Sequence, residues 1–322
     1  MKKNTNFTPG QPKTLLEAVR YFASNENCVD FVRNHCYPNG VVTCLRCNSA
    51  RISPVKGRPK FRCLDCKYDF SIKVNTIFEK SPLPLTVWLP AIWQMGNSKN
   101  AISSHELARS LGVTQKTAWF MSHRIRKAMQ AGSFKKFTEV VEADEAYIGG
   151  SRSNWSNEKR ANTPKNFDHK TAVVAIIERA ESEDEVSQVK ASVISDTKHE
   201  TIRAEIRKNV AEGAVLNTDE SAAYSSLASE YWHTTVNHSA SEYSRGNVTT
   251  NRVEGWISLF KRGLKGTHIH VAPFHLDRYL DDQTFRFNNR KTNDFGRFDI
   301  CVSQVKGRRL TYKQLTGRTA IR

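Results

Sequence analysis

The chain has 322 residues, 39% of them hydrophobic and 25% charged, the composition of a soluble globular protein with room for two or three domains and at least one sizeable core. No apolar run reaches the roughly 20 residues of a membrane span and no apolar signal core opens the chain, so the expectation is a cytoplasmic, nucleoid-associated protein with no membrane partner. Lys and Arg number 49 against 32 Asp and Glu, a formal net charge of +17 that attracts polyanions and points to nucleic acid.

Residues 1–39 read as an N-terminal helical segment, polar at first and then an amphipathic helix from Leu15 to Phe31. Residues 40–75 hold Cys44-Leu45-Arg46-Cys47, fifteen intervening residues, and Cys63-Leu64-Asp65-Cys66. Each C-x2-C turn brings two thiolates one tetrahedral edge apart, so Cys44, Cys47, Cys63 and Cys66 are expected to hold a structural Zn2+ in a zinc ribbon. A segment this short has little core of its own, and zinc supplies much of its folding energy. The other three of the seven cysteines, Cys28, Cys36 and Cys301, read as packed thiols, an odd total arguing against a disulfide framework.

Residues 76–134 begin as a proline-punctuated aromatic stretch in which Trp88 and Trp93 read as core. Ser103-Ser104-His105-Glu106 is a capping box opening a short helix, Gly112 ends it, and Thr114 caps a second, basic helix from Lys116 to Gln130. The pattern is helix-turn-helix-like, with Lys116, Arg124 and Lys127 expected to meet DNA.

Residues 135–295 change to an α/β pattern. Val140 to Ile148, Thr171 to Glu178 and Val189 to Ser195 read as strands, Lys198 to Val210 as an amphipathic helix, and Ala214 to Asp219 as a further strand. The polar loop from Ser151 to Lys170 has no periodicity, and Glu181 to Glu185 reads as a solvated hairpin tip. Residues 296–322 read as a basic tail, with no acid and six basic side chains after Asp299.

Three acids stand out. Asp144 and Asp219 end apolar strand-like runs, and Glu254 lies on a helix whose Val253, Trp256, Ile257, Phe260 and Leu264 form one apolar stripe. Lys261, two turns after Glu254, shares its other face, and Arg252 lies nearby. Phosphodiester hydrolysis and transfer require activation of an attacking oxygen and relief of charge on the leaving oxygen. Two divalent ions held by hard carboxylate oxygens do both, which suits Mg2+ or Mn2+. Glu142, on the same strand face as Asp144, and Glu145, on the other, compete with Asp144 for that role.

These features carry a resemblance. Thr76-Ile77-Phe78, Glu142-Ala143-Asp144-Glu145-Ala146-Tyr147-Ile148-Gly149-Gly150, Thr218-Asp219 with Tyr224, Val236-Asn237-His238-Ser239, Asn251-Arg252-Val253-Glu254, Lys261-Arg262-Gly263, His270-Val271 and Arg286-Phe287-Asn288 are similar, in matching order, to the ISXO2-like transposases of the IS1595 insertion-sequence family, in the DDE transposase superfamily. The resemblance implies a ribonuclease-H-like catalytic domain preceded by the zinc ribbon and the helical DNA-binding region. It implies an enzyme that binds terminal inverted repeats of double-stranded DNA, cleaves them and transfers the strands, as a homodimer or larger assembly. Asp144, Asp219 and Glu254 would hold Mg2+ or Mn2+, Lys261 would contact DNA near the scissile phosphate, Arg252 would touch phosphate, and His238 would lie near the site. Some relatives carry Asn at the third acidic position, where this chain has Glu254.

Two alternatives come from other classes. One is a DNA-binding regulator with an inactive nuclease domain. The other is an HUH-type endonuclease, with His268 and His270 flanking Ile269 as metal ligands and Tyr279 as nucleophile.

Overall fold

The computed structural model describes residues 11–56, 59–130, 135–150, 156–162, 170–182, 184–237 and 244–317. The chain divides into two compact units, one of residues 1–130 with 291–322 and one of residues 131–290.

In the first unit, the helix expected over Leu15 to Phe31 is two helices, α1 (Leu15–Tyr21) and α2 (Asn25–Cys36). Ser24 makes the break. It is extended, and its hydroxyl accepts the Asn27 N–H, so it starts a second helix rather than continuing the first. A three-stranded antiparallel sheet follows, β1 (Ile52–Pro54), β2 (Phe61–Cys63) and β3 (Asp69–Phe70), with β2 central. Three helices come next: α3 (Leu85–Asn97), α4 (Ser104–Leu111) and α5 (Gln115–Met129). Trp88 and Trp93 on α3 are buried, as the apolar pattern predicts. Ser103 accepts the Glu106 N–H to open α4, Gly112 closes it in the left-handed region at φ 65°, and Thr114 accepts the Thr117 N–H to open α5.

The second unit is built on a five-stranded mixed sheet. Its elements in chain order are β4 (Val140–Ile148), the short α6 (Asn157–Ala161), β5 (Thr171–Glu178), β6 (Gln188–Ile194), α7 (His199–Asn209), β7 (Val215–Asp219), a 3₁₀ segment (Ala222–Ser229), β8 (Trp232–Val236), the hairpin β9 (Ser244–Arg245) and β10 (Val248–Thr249), α8 (Asn251–Gly263) and α9 (Leu276–Asn288). The strand order is β6-β5-β4-β7-β8, antiparallel among the first three and parallel from β4 to β8. Strand β8 has no counterpart among the sequence expectations.

Each face of the sheet is covered. Val141, Ala143, Val174 and Leu216 pack with Ile202 and Ile206 of α7 and with Tyr224 and Leu227. On the opposite face, Ala146, Val173, Ala175 and Ile177 pack with Val253, Trp256, Ile257 and Phe260 of α8 and with Leu276, Tyr279 and Leu280 of α9. The apolar stripe of α8 is thus buried on the sheet. Because side chains alternate along a strand, Glu142 and Asp144 share the α8 face, as do Asn217 and Asp219 on β7.

The stretch expected as a basic tail is folded as far as it belongs to the described residues, to Gly317. Helix α10 (Asp294–Ser303) and the one-turn α11 (Tyr312–Leu315) belong to the first unit. The Phe298 ring lies 5.4 Å from Phe22, 5.4 Å from Phe31 and 5.3 Å from Trp93. Burying that aromatic cluster outweighs the solvation of the nearby basic residues. No helix among the described residues is long and apolar enough to cross a membrane.

Candidate active site and zinc ribbon

The zinc-ribbon cysteines form a site from two matching turns. Asn48 N–H returns to Cys44 O at 2.9 Å, and Lys67 N–H returns to Cys63 O at 3.0 Å. Asn48 and Lys67, each just after its C-x2-C pair, take φ of 57° and 58°. The Sγ atoms of Cys44 and Cys66 are 3.5 Å apart, as are those of Cys47 and Cys63. All four lie within 4.8 Å of one another. Backbone N–H donation from Cys66 brings the Cys63 thiol down to about 7, easing formation of the thiolate a metal needs. Four clustered cysteines fit Zn2+. Cys63→Ser is therefore expected to abolish zinc retention and open the β1–β3 sheet to protease, read by metal content and limited proteolysis; full zinc occupancy with an unchanged digest would overturn it.

Strand register brings the first two acids side by side. In the parallel β4–β7 pair, Glu142 is opposite Asn217. Two residues further along each strand come Asp144 and Asp219, on the same face and at the carboxyl end of this part of the sheet. Asp219 Oδ1 accepts the Ser221 N–H at 3.1 Å, which turns the chain off the strand. The third acid, Glu254, sits in the first turn of α8, on the sheet face that Asp144 and Asp219 share, and its Oε1 accepts the Thr250 hydroxyl at 2.6 Å. Burial raises the Asp144 carboxyl to about 7, and the negative charges of Glu145, Asp219 and Glu254 push it the same way.

The two competitors of Asp144 are engaged elsewhere. Glu142 is fully buried and accepts Arg179 Nε at 2.7 Å, the Arg252 N–H at 2.9 Å and the Val253 N–H at 3.1 Å. It ties down the first turn of α8, where the helix leaves N–H groups without partners and its dipole favours an anion. Arg179 also donates to Asn247 O at 2.6 Å and Thr249 O at 2.9 Å, fixing the β9–β10 hairpin that leads into α8. The Glu142–Arg179 pair thereby sets where Glu254 stands. Arg179 is a site residue the sequence reading missed; its signal was a lone cation closing the apolar run of β5. Glu145, on the other sheet face, accepts the Tyr224 hydroxyl, and burial raises its carboxyl, with Asp219 adding to the shift.

Among the described residues, the four cysteines are the group of three or more metal-ligand side chains that lie within 4.8 Å of one another. Lys261 is exposed on α8, two turns from Glu254. Arg252 is also exposed, and its Nη1 donates to Ser187 Oγ at 2.9 Å. His238 and most of the loop from Ser151 to Lys170 lie outside the described residues.

The basic residues of α5 differ from expectation. Lys116 is exposed in its first turn, with its ammonium 5.7 Å from the Tyr312 ring centroid. Arg124 is buried, and this corrects its assignment to DNA. Its Nε donates to Leu310 O at 3.0 Å, its Nη1 to Ile77 O at 2.8 Å, and its guanidinium lies over the Phe120 ring. Lys127 Nζ donates to Arg309 O at 2.9 Å, half-buried, and so ties α5 to the C-terminal segment. The HUH arrangement also finds no support. His268 ends a π-helical turn rather than lying on a strand, Ile269 is its C-cap, and the buried Tyr279 ring packs edge-on against His268.

Comparison with known proteins finds two matches along the chain. Residues 136–288 match the ISXO2-like transposase domain of the IS1595 group, and residues 23–69 match its transposase zinc-ribbon domain. The two matches together span more than half of the chain. The chain belongs to the IS1595 transposase family. It is also similar to an uncharacterised protein in transposable element ISH50 of Halobacterium salinarum, 25% identical over 275 residues, which cover 81% of this chain and 90% of that protein. The family's zinc-ribbon match starts near the break between α1 and α2, so it takes in α2 as well as the four cysteines. Its transposase match takes in all five strands of the mixed sheet and every acid discussed above.

Proposed function

We propose that the chain is a DDE-type transposase that binds the terminal inverted repeats of an insertion sequence, cleaves them and joins the strands to target DNA. The observation that carries this reading is the convergence of Asp144, Asp219 and Glu254 from two adjacent parallel strands and a helix, with Asp144 raised to about 7 by burial and by its acidic neighbours. Hard divalent ions offset negative charge gathered in this way, so the donor set fits Mg2+ or Mn2+. Three acids brought from separate elements suit the pair of ions that cleavage and joining of phosphodiesters use. When bound, such ions supply activation of the attacking oxygen and relief of charge on the leaving oxygen.

The residues divide the remaining work. Asp144, Asp219 and Glu254 hold the ions, and Glu142 with Arg179 keeps the helix bearing Glu254 in register with the strands. Lys261, exposed on the same helix, receives the phosphate backbone. Lys116, at the exposed start of α5, serves a helix-turn-helix-like DNA-binding region with the zinc ribbon alongside. The strand order, antiparallel for three strands and parallel for two more, supports a ribonuclease-H-like catalytic domain. Joining two DNA ends calls for a homodimer or larger assembly.

The test is strand transfer in Mg2+ with the terminal DNA of the chain's own element. Wild type is expected to nick and join the ends, and Asp219→Ala to bind them with activity at background. Equal activity in Asp219→Ala would remove the acid triad from the chemistry. Wild type that binds ends without nicking in Mg2+ or Mn2+ would favour a regulator with an inactive nuclease domain.

A further inference from the structure

The stretch after Glu254 has an unusual surface. From Gly255 to Leu276 there is no acid, while Lys261, Arg262, Lys265, His268, His270 and His275 are all basic. Ile269 is 86% exposed and Phe274 66% exposed in the connection between α8 and α9. Ile269 also adopts φ 61° and ψ −57°, and the His270 N–H closes onto His268 O at 2.6 Å. That is a γ-turn of the rarer, left-handed kind, which a β-branched residue occupies only at a steric cost. The turn is held from beneath: the Ile269 N–H bonds to Leu264 O at 2.7 Å, and the His268 ring packs edge-on against Tyr279 at 4.7 Å. A fixed, strained turn therefore presents a large apolar side chain to solvent, where nothing in the fold rewards it.

We propose that Ile269, with Phe274, is an apolar wedge that enters a base step of bound duplex DNA while the basic residues of the same stretch hold its phosphates. Apolar side chains unstack base steps in this manner, and flanking cations keep the backbone in place. The occupant is DNA rather than a second copy of the chain on grounds of charge. The stretch is basic throughout, and a second copy would bring its own net charge of +17. The wedge follows directly from α8, so DNA at the acids and DNA at the wedge would be one duplex. The proposal rests on the reading of the chain as a DNA-processing enzyme.

The experiment uses the full-length, zinc-loaded protein and duplexes of the element's terminal repeat with 2-aminopurine at successive positions. Wild type is expected to raise fluorescence at one step on binding. Ile269→Ala combined with Phe274→Ala is expected to lose that rise and to bind about tenfold more weakly, the order of one lost base contact. Its dependence on salt should stay the same, because the phosphate contacts remain. Ile269→Gly is expected to lose the rise without any fall in melting temperature, since glycine accepts the positive φ. The proposal is overturned if saturating wild type brightens no position, if the double variant keeps the rise, or if Ile269→Gly melts lower. It is equally overturned if sedimentation of DNA-free protein shows the double variant dissociating a wild-type dimer. Strand transfer in the same samples separates the two readings. Transfer without unstacking sinks the wedge alone, and unstacking without transfer sinks the catalytic reading while the wedge stands.

Discussion

Glu142→Ala is expected to destabilise the transposase unit by about 3–5 kcal/mol, the range for removing one partner of a buried ion pair. The wild-type carboxylate is fully buried and makes three hydrogen bonds, to Arg179 Nε and to the N–H groups of Arg252 and Val253. Alanine leaves the Arg179 side chain, 14% exposed, beside a cavity without its anion. It also takes the carboxylate acceptor from the Arg252 and Val253 N–H groups, each a cost of its own. Glu142→Gln should lose less, because its amide oxygen still accepts from the α8 N–H groups, though its amide N–H₂ opposes Arg179. Glu142→Leu with Arg179→Met should regain part of the loss, since no unmatched charge stays buried. Urea denaturation midpoints provide the measurement, and a Glu142→Ala midpoint equal to wild type would show that α8 is held by its apolar stripe alone.

This anchor explains how far the sequence could be read. Asp144 and Asp219 are 75 positions apart, and that is the offset of the β4–β7 register, in which Val140 faces Val215. Equal offset means that both acids project at the same level of neighbouring strands, so the separation was a structural quantity visible in the sequence. The choice between Glu142 and Asp144 was not visible in that way. Both share one strand face, and what separates them is Arg179, far along the chain, and the first turn of α8 beyond it. Local alternation assigns faces; it says nothing about which element will cross that face.

The same limit accounts for Arg124 and for the C-terminal segment. A basic helix after a Gly-containing turn reads as a DNA-facing surface, yet Arg124 is drawn inward by the carbonyls of Ile77 and Leu310. Neither carbonyl is recognisable as a partner from sequence, because any residue offers one. After Asp299 the absence of acid dominated the reading, although Phe295, Phe298 and Val302 fall at i, i+3 and i+7. That stripe is the buried side of α10 and could have been found. Strand β8 carried too little signal: five residues with an exposed Trp232 and an interior run of His and Thr.

Asp144→Asn is expected to abolish strand transfer and, in the absence of divalent ions, to make the protein more stable than wild type at pH 8. The Asp144 carboxyl is raised from an ordinary 3.8 to about 7, first by burial and then by Glu145, Asp219 and Glu254. A carboxyl whose folded-state value is raised costs stability when it ionises. The cost is absent below about pH 4, grows as pH rises towards 7, and is fully present above it. With about 1.4 kcal/mol for each pKa unit, the full effect is on the order of a few kcal/mol. Asparagine keeps the shape of the side chain without the charge, so its melting temperature should fall less than that of wild type between pH 4 and pH 8. Glu145 is raised in the same direction, so some of the decline survives in the variant. Adding Mg2+ or Mn2+ at pH 8 should reverse the ranking, because a bound ion stabilises only the chain that holds it. Melting curves of both proteins across pH, with and without the ion, make the comparison. If wild type and Asp144→Asn melt in parallel at every pH, the acids do not repel one another, and the argument for a divalent ion among them is lost. If the ranking reverses with the ion, the instability built into the empty site is what its binding relieves, and Asp144 is the residue where charge, metal and catalysis meet.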